Sequence, residues 1–288
     1  MSDRSTSLLH DLSRRLGLDW GQLQDLPLQA DLAACSEDPH LFADRVRTVI
    51  PLNHFAHRQK QGGFLHSSAA LSCGEITLTS ALHTALDIEL GDHPFATLAL
   101  PYAGHTSIWI DRREFVLAPG ITALYMPGES YRGRSHSHAS VMLNLPHPAL
   151  ARTAQAIAGQ QDGASPCRLA LQRPIVVGED TPVSAELILS LRRMLSVYNG
   201  AALLQGSAVH SLALEDAIQR LVILLLCPQL LKETPADRQM AGETGGGRNR
   251  ILAELIDWIL SDLTRPLTLT ELERRSGYSR RALQYLFR

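Results

Sequence analysis

Residues 268–288, TLTELERRSGYSRRALQYLFR, carry the clearest local signals in the chain. Thr268 to Glu271 is a T-x-x-E capping box, in which the Thr268 side chain can accept from the Glu271 amide and the Glu271 side chain can return to Thr268. A helix therefore starts there, with Leu269 and Leu272 turned inward. Gly277 stands where a helix end needs a left-handed residue. Ser279 can cap a following helix whose apolar positions are Ala282, Leu283, Leu286 and Phe287. Two short helices joined by a tight, glycine-containing turn form a helix-turn-helix pattern. Just upstream, Ile251, Leu252, Leu255, Ile256 and Ile259 make the apolar stripe of a further helix over about residues 249–263, with Trp258 beside it and Pro266 preventing its continuation.

Once the apolar positions are removed, the last helix leaves Arg280, Arg281, Gln284, Tyr285 and Arg288 facing outward. In a helix-turn-helix the second helix lies in the major groove, its first residues at base edges and its flanks at phosphates. Arginine can read guanine and glutamine adenine through paired hydrogen bonds, each worth about 1 to 3 kcal/mol of discrimination. Charge agrees with this. The whole chain of 288 residues carries a formal net charge of -2, yet eight arginines face five acids from residue 248 onward, and residues 274–288 hold five arginines and no acid. The positive field is concentrated where a polyanion would be met.

The segment PLTLTELERRSGYSRRALQYLFR, residues 266–288, strongly resembles the first helix-turn-helix of the AraC/XylS family of transcription regulators. Leu267, Leu269, Leu272, Gly277, Tyr278, Ser279, Leu283 and Phe287 fall on the family pattern. The resemblance implies base contacts from Arg281, Gln284 and Tyr285 and phosphate contacts from Arg280 and Arg288. LPYAGHTSIWIDRREFVLAPGITALYMPGESY, residues 100–131, followed by LNLPHPAL, residues 143–150, is similar to the cupin-like sensor domain that precedes the DNA-binding domain in many members. Two departures stand out. Glu273 occupies a position where the family usually has a small alanine, and a carboxylate there is expected to loosen the helix pair or repel phosphate. Family members also continue into a second helix-turn-helix, so this chain is expected to be a truncated form of a longer regulator, binding DNA weakly or not at all by itself.

The implied fold class is α+β: a cupin-like antiparallel β-barrel sensor domain with flanking helices, then an incomplete all-α helix-turn-helix domain. Patterning along the chain fits. Leu8, Leu9, Leu12 and Leu16 recur at helical spacing, and Asp38-Pro39 marks a helix start. From about residue 64 to 145 short alternating runs are punctuated at Gly91, Gly104, Pro119-Gly120 and Pro127-Gly128, with a hairpin tip expected at Asp111-Arg112-Arg113. Helices are expected again over residues 149–157, 182–198 and 208–227. The last has an apolar face, including Leu212, Leu221, Val222 and Leu225, wide enough to need a partner, either the barrel or a second copy. The polar stretch KETPADRQMAGETGGGRNR, residues 232–250, has almost nothing to bury. The expected organisation is N-terminal helices at 1–50, an effector-binding barrel at 51–180, a helical dimerisation region at 181–231, a linker at 232–248 and a partial DNA-binding domain at 249–288.

Forty-five per cent of residues are apolar types and 19% are charged, as in a soluble globular protein. The four cysteines, Cys35, Cys73, Cys167 and Cys227, have no paired spacing and suggest reduced thiols in a cytoplasm. No stretch approaches the roughly 20 apolar residues of a membrane span. Twelve histidines invite a metal reading, above all His136-x-His138, whose rings would share one side of a regular strand. With no carboxylate downstream in that strand, neither a metal nor another cofactor is expected, and no catalytic motif is present. Tyr102, His105, Trp109 and Arg134 are candidate polar anchors for a small-molecule effector in the barrel. The expected partners are DNA, that effector and a second copy of the chain. A metal-dependent cupin enzyme, or a ligand-binding and dimerising module without DNA binding, is the alternative.

Overall fold

The computed structural model describes residues 3–29, 32–58, 63–119, 122–158, 164–178, 181–198, 214–232, 255, 258, 268–280 and 283. The chain divides into two compact units, Met1–His147 with Gln172–Ile218, and Pro148–Leu171 with Gln219–Arg288. The first unit holds α1 (Asp3–Leu16), α2 (Trp20–Leu23), β1 (Ala34–Ser36), α3 (Pro39–Arg47), β2 (Leu52–His57), β3 (His66–Cys73), β4 (Ile76–His83), β5 (Leu86–Leu90), β6 (Phe95–Ile110), β7 (Arg113–Leu117), β8 (Ala123–Met126), β9 (Tyr131–Pro146), β10 (Ile175–Val177) and α6 (Pro182–Ser196). Helix α3 starts at the expected place, with Asp38 Oδ1 accepting from the His40 amide at 2.8 Å and Pro39 in the first turn.

Among the described residues every strand pairing is antiparallel. The path β1-β3-β4-β9-β6-β8-β10 carries β5 and β2 as a branch from β9 and β7 as a branch from β6. Two strands of 16 residues each make this possible. The first half of β9 pairs with β5, its second half pairs with β4, and β6 runs beside both halves. The result is the antiparallel, cupin-like barrel with flanking helices that the sequence resemblance implied. The tips follow from local backbone chemistry. Asp111 and Arg112 both have positive φ, 46° and 66°, between the paired residues Ile110 and Arg113, as a two-residue primed turn requires.

The β6–β9 pair shifts register twice, between Pro101 and Ala103 and between Gly104 and Thr106, and the second shift decides which β9 side chains enter the barrel. Thr106 pairs with Ser135, but Gly104 pairs with His138, so β9 carries an extra residue opposite β6. Gly104 has φ +74°, and a Cβ there would lie 1.9 Å from the Ser137 carbonyl oxygen. Only glycine lets the two backbones approach so closely. Beyond the bulge, His138, Ser140 and Met142 share the face that carries Ala99, Leu124 and Met126 of the barrel core.

Where β3, β4, the second half of β9 and the first part of β6 run together, the opposite face is apolar except for one anchored network. Leu78, Leu82, Leu98, Leu100, Val141 and Leu143 are all buried. Among them Ser80 receives Gln29, whose Nε2 donates to the Ser80 carbonyl at 3.0 Å and to Ser80 Oγ at 3.1 Å, while Ser67 Oγ donates to Gln29 Oε1 at 2.9 Å. These bonds satisfy an amide that is 1% exposed and fix the N-terminal arm to β3 and β4.

The second unit contains most of α4 (His147–Ala158), α5 (Ala164–Ala170), the end of α7 (Leu214–Leu226), α8 (Gln229–Lys232) and α9 (Leu269–Ser276). Residues 208–213 of the helix expected before Cys227 lie outside the described residues. The wide apolar face of α7 is covered within the single chain: Ile218, Val222, Ile223 and Leu225 are at most 2% exposed. Leu221 on the same helix is half-buried, and Leu212 lies outside the described residues. Among the described residues no helix is long and apolar enough to cross a membrane.

Candidate effector site and nucleic-acid interface

Cross-strand register assembles a histidine row that no short sequence window contains. In the β3–β4 pair His66 stands opposite His83, and in the β4–β9 pair His83 stands opposite His138. Directly opposed residues share a sheet face. The His83 and His138 rings are 5.7 Å apart between centroids. His66 lies against Phe42 of α3, 4.5 Å between centroids, and stacks with Phe64 at 6.4 Å. His57, on β2, meets the edge of Phe64 at 5.4 Å. Phe42, Phe64 and Leu86 form one apolar cluster with Phe55 and Ile88, so these histidines border an aromatic wall.

Of these rings, His66, His83 and His138 sit where the neutral form is favoured. Burial holds His66 and His138 down to about 3, helped by the proximity of His83, and burial lowers His83 as well. His66 Nδ1 and His138 Nδ1 are buried and have no hydrogen-bond partner among the described residues. Close to them on the same face, Ser68, Thr79, Ala81 and Ser140 are short. A filled barrel carries bulkier residues on such positions. Short walls, an aromatic side and two unsatisfied ring nitrogens have the character of a small-molecule site.

The anchors expected from sequence do not come together. Tyr102 is buried against α6, where the Arg192 guanidinium stacks on its ring at 4.3 Å and donates to the Pro101 carbonyl at 2.6 Å. His105 is exposed beside the bulge. Trp109 is half-buried and alternates with the buried Ile108 and Ile110. Arg134 is on the surface, paired with Asp87 at 2.9 Å. His136 and His138 do not share a side either. The bulge leaves His136 exposed and His138 5% exposed. Among the described residues no group of three or more His, Cys, Asp or Glu is arranged to hold a metal ion.

In the C-terminal segment the local signals materialise. Thr268 Oγ1 accepts from the Glu271 amide at 3.2 Å, and Gly277 takes φ 71° and donates to the Glu273 carbonyl at 2.8 Å. The Leu283 amide then bonds to the Ser279 carbonyl at 2.9 Å, opening the next helical turn. Leu255, Tyr278 and Leu283 form a small core with Trp258, Leu269 and Leu272. Arg280 is exposed at the start of that turn. Arg281, Gln284, Tyr285 and Arg288 lie outside the described residues, as does most of the helix expected over residues 249–263.

Glu273 corrects the sequence reading. Its carboxylate is not presented outward to a phosphate: it is 2% exposed, forms an ion pair with Arg220, and its Oε1 accepts from the Arg280 amide at 2.6 Å. Burial raises its carboxyl above the usual range, opposed by Arg220 and by the Arg280 amide.

Residues 55–227 match the model of the AraC-binding-like domain. A segment of 41 residues, 14% of the chain, is 44% identical to YkgA of Escherichia coli (strain K12), described as an HTH-type transcriptional regulator; the alignment spans 17% of that protein's length. The crystal structure of the AraC-like transcriptional activator CuxR superposes with a TM-score of 0.49 at 16% identity, over 88% of each chain. KdgF from Halomonas sp. gives a TM-score of 0.26 at 12% identity over 31% of this chain and 84% of that one.

Proposed function

The chain belongs to the family of AraC-binding-like domains, and from that premise we propose that it is an effector-responsive, DNA-binding transcription regulator of the AraC type. A small molecule enters the barrel beside His66, His83 and His138. DNA is met by the segment that begins at Thr268, with Arg281, Gln284 and Tyr285 at base edges and Arg280 and Arg288 at phosphates. Two copies act together on spaced half-sites, which supplies affinity that one motif lacks.

The observation that carries the reading is the sequence of local devices around Gly277. A capped helix, a left-handed glycine and a new helical turn follow one another, with Arg280 exposed at the first position of that turn. A solvated helical bundle needs no such sharp re-entry into helix. The test is a gel-shift titration of the product of the whole gene, with any natural continuation it carries, against the DNA upstream of that gene and against random DNA of the same length. Preferential binding that weakens steeply with salt is the expected result. Equal affinity for both, or binding indifferent to salt, would remove the proposal.

A further inference from the structure

Arg220 sits on α7, near the end of the segment matched to the AraC-binding-like domain, and Glu273 sits on α9, the first helix of the turn segment. Three polar contacts run between them and onward. Arg220 Nη2 donates to Thr270 Oγ1 at 2.6 Å, and Nη1 pairs with Glu273 Oε2. Thr270 and Glu273, three residues apart, lie on one face of α9, so one guanidinium spans both. The second oxygen of Glu273 accepts from the Arg280 amide at 2.6 Å. That amide is among the first of the new helix, and such amides have no carbonyl of their own helix to bond.

Both charged groups are buried, Arg220 to 7% and Glu273 to 2% exposure. A buried carboxylate is costly unless paired and hydrogen-bonded, and Glu273 has both an ion-pair partner and an amide donor. The guanidinium divides its two Nη groups between Thr270 and Glu273 Oε2, so the arginine anchors the carboxylate on α9 by charge while Oε1 of the same carboxylate takes the Arg280 amide. Oε1 and Oε2 belong to one rigid group and serve two different elements.

We infer that Glu273 is a positioning residue for the DNA-reading helix and that Arg220 holds it in place, so that α7 sets the orientation of that helix. The inference rests on the DNA-binding reading for its purpose, though not for its geometry. Displacing Arg220 takes the carboxylate with it or breaks the pair, and either outcome releases the cap at Arg280.

The test is amide hydrogen exchange in the chain as it stands, with no ligand added. Arg220→Met, which touches neither Arg280 nor Leu283, is expected to speed exchange of both amides about tenfold, as loss of a helix cap does. Glu273→Ala should do the same, and the double variant no more. Glu273→Gln keeps an acceptor for Arg280 and should stay near the wild-type rate. Wild-type exchange in Arg220→Met, or rates in the double variant equal to the product of the singles, overturns the inference. If Arg220→Met also loses protection in β6 and β9, Arg220→Lys decides. It keeps the charge but not the planar fork, so exchange at Arg280 should rise about threefold with the strands still protected; wild-type exchange there overturns the inference too. Gel shifts separate this from the parent reading. Absence of DNA binding by the wild type sinks that reading alone, whereas with binding present Arg220→Met should reduce the ratio of specific to random affinity.

Discussion

The ring of His138 lies 5.7 Å from that of His83, and the strand register places His66 on the other side of His83. A proton on His66 would face His83 and Arg45, and one on His138 would face His83, both in surroundings that disfavour charge. The fold therefore keeps these imidazoles neutral where an unfolded chain would protonate them.

That difference gives stability a pH dependence with a definite sign. The folded values of His66 and His138, about 3, lie below the ordinary 6.5, so the unfolded state binds more protons between the two and stability falls as pH drops below about 6.5. Between about pH 7 and pH 5 the loss should be roughly 1–2 kcal/mol for each of these histidines. Urea unfolding at the two pH values measures it. His66→Phe should reduce the difference, and identical midpoints at both pH values would show that the rings are not buried neutral.

Gly104 and Gly277 both have positive φ but differ in surroundings. An added Cβ at Gly277 meets nothing within 4 Å, so Gly277→Ala should cost only the backbone strain, about 1 kcal/mol. At Gly104 the same methyl collides with the backbone of β9, 1.9 Å from the Ser137 oxygen. Gly104→Ala should cost at least about 3 kcal/mol, since strain and collision add. Thermal melts of the two variants should rank in that order.

Gln29→Ala should destabilise the chain by about 1–3 kcal/mol, because it strips Ser67 Oγ and Ser80 of a buried partner and leaves a void against β4. Denaturant midpoints measure the loss. A change below about 0.5 kcal/mol, the range of ordinary surface substitutions, would mean that the network is not closed in solution.

Arg281→Ala should relax base preference at one position of the bound DNA, with about 1–3 kcal/mol of discrimination lost there. Arg288→Ala should instead weaken all sequences alike and lower the salt dependence by about one counterion. Competition binding with single-base operator variants distinguishes the two. Equal losses on operator and random DNA for Arg281→Ala would move that residue to the backbone.

What could be seen in the sequence was what neighbouring residues determine among themselves. Thr268, Gly277, Asp38-Pro39 and the Asp111-Arg112 tip act within a few residues of their own positions, and each behaves as its local pattern implies. The histidine row was hidden because it depends on register across three strands. Part of it was within reach: with Gly74-Glu75 as a two-residue turn, His66 and His83 fall opposite each other. The step to His138 requires the bulge opposite Gly104, which periodicity cannot reveal. Glu273 looked like a liability because its partner, Arg220, is remote in sequence and no local rule connects them.

The bulge in β9 also bears on how this chain can be compared with its relatives. Ser135 and His138 both face inward although three positions separate them, so inward and outward residues exchange parity at positions 136–137. An alignment with a barrel whose corresponding strand is regular has to open a gap there. Without that gap, the stretch through Ser140 and Met142 is matched to outward-facing positions, and variation in the barrel lining is mistaken for variation at the surface.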